Sequence, residues 1–275
     1  MSARLWLNGA LVPAAAARLD PADRGFLLGD GVFETIAVRD GRAWHLPAHL
    51  ARMAAGMAVL GLSCPWDIAA EAEAYLDAMR PDAAVLRITL SRGVAARGLW
   101  PGEMTRPSLV MQLSAPPPAP RPIRIVVCER TQRNQNSPLS RIKSLNYLDN
   151  ILARAEAVAR GAKDALLCNT SGDLACASAA TLLVAVGDDW LTPRLADGAL
   201  PGITRGLLMR AGLVREARLT VATLSQAKRI ILANSLGLTP VEALAARAIG
   251  IDGEALARMT EATRGDARRR DGGPE

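Results

Sequence analysis

Lysine is scarce in this chain: of 33 basic residues only three, Lys143, Lys163 and Lys228, are lysines, and the rest are arginines. Chemistry that needs a nucleophilic amine therefore has three candidate side chains. Aromatic residues make up 3% of the chain and the arginines are scattered, so the formal charge of +6 is not the striped, stacking surface of a nucleic-acid binder. No nucleic-acid partner is expected. His45 and His49 are the only histidines, and Cys64, Cys128, Cys168 and Cys176 show no C-x-x-C spacing, so no metal site is expected. No uncharged run reaches 18 residues, which excludes a membrane-spanning helix. The first nine residues, through Asn8-Gly9, hold no apolar leader core, and a cytoplasmic setting with reduced thiols is expected.

What is present is an ordinary globular composition, 275 residues with 50% hydrophobic and 22% charged, which excludes disorder, collagen and a coiled coil. Arginine in place of lysine favours bidentate capture of carboxylate or phosphate, so small anionic molecules are better partners to consider than polymers. The one basic cluster, Arg268 to Arg270, sits among Asp266, Asp271 and Glu275 in a polar tail, 266–275, and reads as a solvated end.

Along the chain, Leu5 to Val12 reads as a hairpin turned at Asn8-Gly9, and Gly31 to Arg39 as a strand returning through Asp40-Gly41 over Arg42 to Leu46. Pro47 opens a helix whose apolar residues Leu50, Met53, Met57 and Leu60 recur at helical spacing up to Gly61. A second helix is predicted over Asp67 to Met79, then strands over Ala84 to Ser91 and Ser108 to Leu113, with a glycine-punctuated loop between them. Residues 115–122, rich in proline, form a stiff linker, which divides an N-terminal α/β domain, 1–114, from a larger mixed domain, 123–265. In the latter, strands are expected over Ile123 to Cys128, Asp164 to Cys168, Asp173 to Val186, Trp190 to Thr192, Leu219 to Ala222 and Arg229 to Ala233. Helices are expected over Leu148 to Arg160, Gly202 to Ala211 and Glu254 to Thr263. The fold class is α+β in two domains.

Of the three lysines, Lys163 follows a helix end and Lys228 adjoins Arg229 in a polar segment, both ordinary surface settings. Lys143 lies between Ile142 and Leu145, four residues before Tyr147, one of only two tyrosines. A buried lysine of lowered pKa forms a Schiff base with a carbonyl, and a nearby phenol tunes it; composition alone is equally compatible with a core-edge lysine. The Gly202-Ile203-Thr204 turn opens a predicted helix whose first amides, at Ile203 and Thr204, suit an anion, although Thr204 as a simple cap fits as well.

Taken in order, several segments resemble the fold type IV, or class IV, pyridoxal-phosphate enzymes, from Leu5 to about Val241. The run Asp23-Arg-Gly-Phe-Leu-Leu-Gly-Asp-Gly-Val-Phe-Glu-Thr-Ile36 is similar to the family's N-terminal signature, and His49-Leu-Ala-Arg52 to its arginine helix. Lys143-Ser-Leu-Asn-Tyr147 is similar to its Schiff-base segment, Leu200-Pro-Gly-Ile-Thr-Arg205 to its phosphate turn, and Ala233-Asn-Ser-Leu236 to a late cofactor loop. The resemblance implies pyridoxal 5'-phosphate held covalently by Lys143, which also shuttles protons. It places Tyr147 at the cofactor oxygen, and Arg52, Ile203, Thr204 and Asn234 or Ser235 around the phosphate. A small anionic amino-group substrate and a homodimer are implied with it.

One position departs from the pattern. The family's G-x-V-x-E-x-x-x-x-N segment carries the glutamate that protonates the pyridine nitrogen, and here it reads Gly172-Asp-Leu-Ala-Cys-Ala-Ser-Ala-Ala-Thr181, with Cys176 at the acid position. A thiol, of reference pKa about 8.5, is neutral and a weak donor, so the ring becomes a poorer electron sink. Arg92 and Arg97, in Ser91-Arg-Gly-Val-Ala-Ala-Arg-Gly98, resemble the substrate arginines of 4-amino-4-deoxychorismate lyases, and Thr35 matches a threonine of the same branch. The implied activity is therefore pyruvate elimination giving 4-aminobenzoate. A D-amino-acid or branched-chain aminotransferase is the alternative, and a catalytically weakened cofactor-binding relic stands behind both.

Overall fold

The computed structural model describes residues 4–103 and 105–265; the tail carrying Arg268 to Arg270 lies outside the described residues. Two compact units emerge, Met1–Pro116 with Ile142–Asn146, and Pro117–Arg141 with Tyr147–Glu275. Ile142–Asn146, inside the range 123–265 expected for the second domain, clusters with the first unit. That segment adds itself to a strand of the first unit: the Phe33 amide donates to Lys143 O at 2.9 Å and the Leu145 amide to Gly31 O at 2.9 Å.

The first unit is a six-stranded antiparallel sheet in the order β2-β1-β6-β5-β3-β4. Its strands are β1 (Arg4–Leu7), β2 (Ala10–Pro13), β3 (Gly31–Arg39), β4 (Arg42–Ala43), β5 (Ala83–Val94) and β6 (Arg106–Ser114). Asn8-Gly9, both at positive φ, turns β1 into β2. The helices are α1 (Arg24–Leu28), α2 (Leu46–Leu60) and α3 (Ile68–Met79). Pro47 sits in the first turn of α2 and Gly61 ends it in the left-handed conformation, while the Asp67 carboxylate caps α3 by accepting from the amides of Ala69 and Ala70. The β4 return is shorter than Arg42 to Leu46 because α2 already starts at Leu46. The α2 and α3 residues Met53, Tyr75 and Leu76 pack with Val32, Ile36, Val38, Leu86 and Ile88 into one core.

The second unit is a nine-stranded mixed sheet in the order β12-β11-β10-β13-β14-β7-β8-β9, with β15 on β14. These strands are β7 (Ile123–Val127), β8 (Asp164–Cys168), β9 (Leu174–Ala177), β10 (Thr181–Val186), β11 (Asp189–Pro193), β12 (Arg215–Ala217), β13 (Arg229–Asn234), β14 (Gly237–Leu244) and β15 (Arg247–Ala248). Helices α4 (Leu148–Ala159), α5 (Ile203–Arg210), α6 (Val221–Gln226) and α7 (Gly253–Gly265) complete it. The single strand expected over Asp173 to Val186 is two strands broken at Ser178 to Ala180. The strand expected over Leu219 to Ala222 is instead the start of α6, because Thr220 and Thr223 form a reciprocal capping box that pulls the chain into a helical turn. No helix among the described residues is long and apolar enough to cross a membrane.

Candidate active site

In the first unit the site is built on both faces of β3. Alternation sends Val32, Glu34, Ile36 and Val38 toward α2 and Phe33 and Thr35 the other way. Glu34 is thus a carboxylate placed in a hydrophobic layer, 0% exposed, and two residues one helical turn apart on α2 satisfy it. His49 Nδ1 lies 2.6 Å from Glu34 Oε2, and Arg52 forks onto the same carboxylate with Nε to Oε1 at 2.8 Å and Nη2 to Oε2 at 2.6 Å. Burial opposes the charge on Glu34, but the bonds from Arg52 and His49 and the Arg52 charge outweigh it and hold the carboxyl below its ordinary value. Burial likewise pushes the His49 pKa down, against the pull of Glu34.

Lys143 meets this strand from its edge. Gly31 makes the approach possible, since a Cβ there would stand 2.5 Å from Leu90 O and 2.7 Å from Leu145 Cδ1. The Lys143 Nζ sits 4.1 Å from the centroid of the Phe33 ring, and the Arg87 guanidinium carbon lies 4.0 Å from the same centroid. Arg87 pairs in register with Thr35, so Phe33, Thr35 and Arg87 share the face that α2 leaves uncovered. Burial first, then the positive charges of Arg52 and Arg87, bring the Lys143 amine down from 10.5 to about 8, with Glu34 pulling the other way. Such an amine is partly neutral near pH 7 and serves as nucleophile and proton carrier.

Three of these residues escaped sequence reasoning. Arg87 and Glu34 are single charges inside apolar strand runs, Val85 to Leu90 and Val32 to Val38, and such interruptions are the available signal. His49 was one of only two histidines and sits one turn from Arg52.

The structure revises Arg92. Its Nε donates to Asp30 Oδ2 at 2.8 Å, its Nη2 to Asp30 Oδ1 at 3.2 Å and Leu60 O at 2.6 Å, and its Nη1 to Gly61 O at 2.9 Å. Two of its N–H groups go to the Asp30 carboxylate and two to the carbonyls at the end of α2, so four of its five donors clamp α2 to Asp30. Asp30 also accepts from Arg24 Nε at 2.9 Å, and Arg24 reaches on to the carbonyls of Gly98 at 2.6 Å and Leu99 at 2.8 Å. Arg97 stands exposed in the loop that Arg24 holds by these two carbonyls.

In the second unit, Gly202 precedes α5 and supplies no side-chain cap, so the first-turn amides of Ile203 and Thr204 have no capping oxygen from it. A Cβ at Gly202 would stand 2.8 Å from Thr181 Oγ1, which keeps this turn bare. The Thr204 hydroxyl donates to Asn234 O at 2.8 Å and ties α5 to the end of β13. Asn234 accepts from the Leu236 amide at 2.9 Å and donates to Ala179 O at 3.4 Å, so its side chain shapes the loop in which the half-buried Ser235 follows. Tyr147 is half-buried at the start of α4 and gives that helix no side-chain cap. Cys176, opposite Leu167 on β8, is half-buried, and burial pushes its thiol up to about 11.

Residues 31–244 match the family model described as amino-transferase class IV. The chain belongs to this family. It is 27% identical over 259 residues to the aminodeoxychorismate lyase of Vibrio harveyi, covering 90% of this chain and 93% of the relative. It is 26% identical over 262 residues to a D-alanine aminotransferase of Staphylococcus aureus, covering 91% and 90%. The crystal structure of 4-amino-4-deoxychorismate lyase from Pseudomonas aeruginosa superposes with a TM-score of 0.81 at 30% identity, covering 95% of this chain and 98% of that one.

The class IV enzymes depend on pyridoxal 5'-phosphate, and the residues of this one fit it. An amine brought down to about 8 suits the aldehyde, and a helix start without a side-chain cap, behind a glycine where a Cβ would crowd Thr181 Oγ1, suits the phosphate. Among the described residues no group of three or more His, Cys, Asp or Glu is placed to hold a metal ion.

Proposed function

We propose that this class IV enzyme is a 4-amino-4-deoxychorismate lyase, converting its substrate into 4-aminobenzoate and pyruvate. The observation that carries this reading is Cys176, a thiol whose pKa of about 11 keeps it neutral where an acid is expected. Pyridoxal phosphate, when bound, supplies covalent capture of the amino group and a ring that draws electrons from the neighbouring carbon. With the ring nitrogen less protonated, that draw is weakened. Elimination tolerates the loss better than transamination, because expelling pyruvate makes the substrate ring aromatic, a driving force the cofactor does not have to supply.

The residues divide the work accordingly. Lys143 would hold the cofactor, take the proton from the substrate ring carbon that bears the amino group and return it to the departing three-carbon fragment. The Glu34, Arg52 and His49 cluster fixes the surroundings of that amine. Arg52, Ile203, Thr204 and Asn234 or Ser235 would hold the phosphate, and Tyr147 would hold the cofactor oxygen. Arg87 and Arg97 bind the two substrate carboxylates, and Thr35 lines the face beside Arg87. Replacing Arg87 with methionine is expected to raise KM for aminodeoxychorismate about 10- to 100-fold, measured by steady-state release of 4-aminobenzoate.

Product analysis tests the activity. Aminodeoxychorismate should yield 4-aminobenzoate and pyruvate in equal amounts. Conversion of the cofactor to its amine form by D- or L-amino acids, with no 4-aminobenzoate formed, would instead support an aminotransferase.

A homodimer belongs to the same proposal. Phe26, Leu99 and Trp100, 77%, 86% and 81% exposed, lie on α1 and on the loop that Arg24 joins to it, and an apolar patch of that kind is a surface for another chain. The double variant Phe26→Glu, Trp100→Glu should be a monomer by light scattering where the unaltered enzyme is a dimer.

A further inference from the structure

The end of the second unit that carries Cys176 contains a cation with no counter-charge bonded to it. Arg133 is stapled beside β8: its amide donates to Cys168 O at 2.8 Å, its carbonyl accepts from the Thr170 amide at 3.2 Å, and it bridges Asn169 in parallel register. Its Nη2 donates to Ser140 O at 2.9 Å, while its Nε is buried and makes no hydrogen bond. A buried donor without a partner is costly, and in a guanidinium the cost falls on a charged group.

The neighbouring carboxylate does not answer it. Asp164 spends Oδ1 on the amides of Ala165 and Ser178 and on the Ser178 hydroxyl, and Oδ2 on Arg154 at 2.8 Å. Arg133 and Asp164 are also the two charges that act on the Cys176 thiol, Asp164 raising its pKa with burial and Arg133 lowering it. Cys176 is paired with Leu167, one residue before the Cys168 carbonyl that holds Arg133. Cys176 therefore lies within electrostatic reach of Arg133 and, as a neutral thiol, offers it no counter-charge.

The chemistry at this end is consequently that of donors. The Arg133 Nε–H and the Cys176 S–H are both donors, and a protonated pyridine nitrogen would be a third, so beside them it would meet like groups and a like charge. An unprotonated nitrogen is an acceptor and suits both. We infer that Arg133, acting together with the thiol at Cys176, keeps the ring nitrogen of the bound cofactor unprotonated, so that the enzyme works with a deliberately weak electron sink. The inference rests on the proposal that Cys176 stands at the nitrogen end of the cofactor. It deepens the lyase reading, since it makes the weak sink a property built from two residues and not the accident of one.

Nitrogen-15 NMR of enzyme loaded with ring-labelled pyridoxal phosphate tests it directly. The unaltered enzyme should show an unprotonated ring nitrogen at pH 7. Arg133→Met should raise the pH at which the nitrogen takes its proton by about one unit, Arg133→Lys should restore the original behaviour, and Cys176→Glu should raise it by about two units or more. A melting-temperature cycle on the cofactor-free chain gives a second readout. Cys176→Glu should be tolerated beside Arg133 and should melt roughly 5 °C lower in the Arg133→Met background. A protonated nitrogen in the unaltered enzyme, or a nitrogen whose titration ignores all three substitutions, would overturn the inference. An unprotonated nitrogen in an enzyme that forms no 4-aminobenzoate would uphold it and count against the lyase reading alone.

Discussion

Lys143→Ala should lower turnover by about a thousandfold or more and abolish the visible absorption band of the purified enzyme, because the same amine holds the cofactor and moves the proton. A structural lysine would lose neither on substitution. The stability of the cofactor-free chain supplies a second check. The Lys143 amine titrates at about 8 in the folded chain against an ordinary 10.5, so between these values the unfolded chain binds more protons and stability rises with pH. Below pH 8 the buried cation imposes its full cost. Lys143→Met should therefore stabilise the cofactor-free chain by on the order of 3 kcal/mol at pH 7, an advantage that fades toward zero above pH 10.5. Denaturant unfolding at the two pH values measures it.

Glu34→Leu should be the most destabilising single change in the first unit. It removes the buried carboxylate that the half-buried Arg52 guanidinium meets at 2.6 and 2.8 Å, at a cost of about 3–5 kcal/mol, or a fall in melting temperature of roughly 10 °C. The sign of the pH dependence follows from the lowered carboxyl. Its contribution is fully present above the ordinary carboxylate range and is lost as pH falls through the folded value, so the gap between the two proteins should narrow in acid. Glu34 also raises the Lys143 pKa, and the pH profile of cofactor uptake should accordingly move to lower pH in Glu34→Gln. An unchanged profile would show that the cluster is structural only.

Much of the fold, and the segments proposed for the site, were legible in the sequence because they come in contiguous words. Lys143 to Tyr147, Gly202 to Thr204 and Asn8-Gly9 each combine a residue type with a local geometry, and the caps at Asp67 and Gly61 mark helix ends for local reasons. What was not legible depends on pairing across the sheet. Arg87 reaches Phe33 only through the register of β3 with β5, and Arg133 comes beside β8 only through its bond to Cys168 O. Arg92 carries the opposite lesson. Its motif matched a substrate arginine, yet Asp30 and the carbonyls at the end of α2 absorb its donors, and no spacing along the chain records that. The strand missed at β14 and the helix mistaken for a strand at α6 have similar causes: a tertiary partner in one case, a threonine cap in the other.

The three lysines permit one direct measurement of the amine assignment. Borohydride reduction of the holoenzyme fixes the cofactor to whichever amine holds it, and peptide mass mapping then locates the label. All of the pyridoxyl mass should appear on the peptide that contains Lys143. Label on Lys163 or Lys228 with none on Lys143 would contradict it.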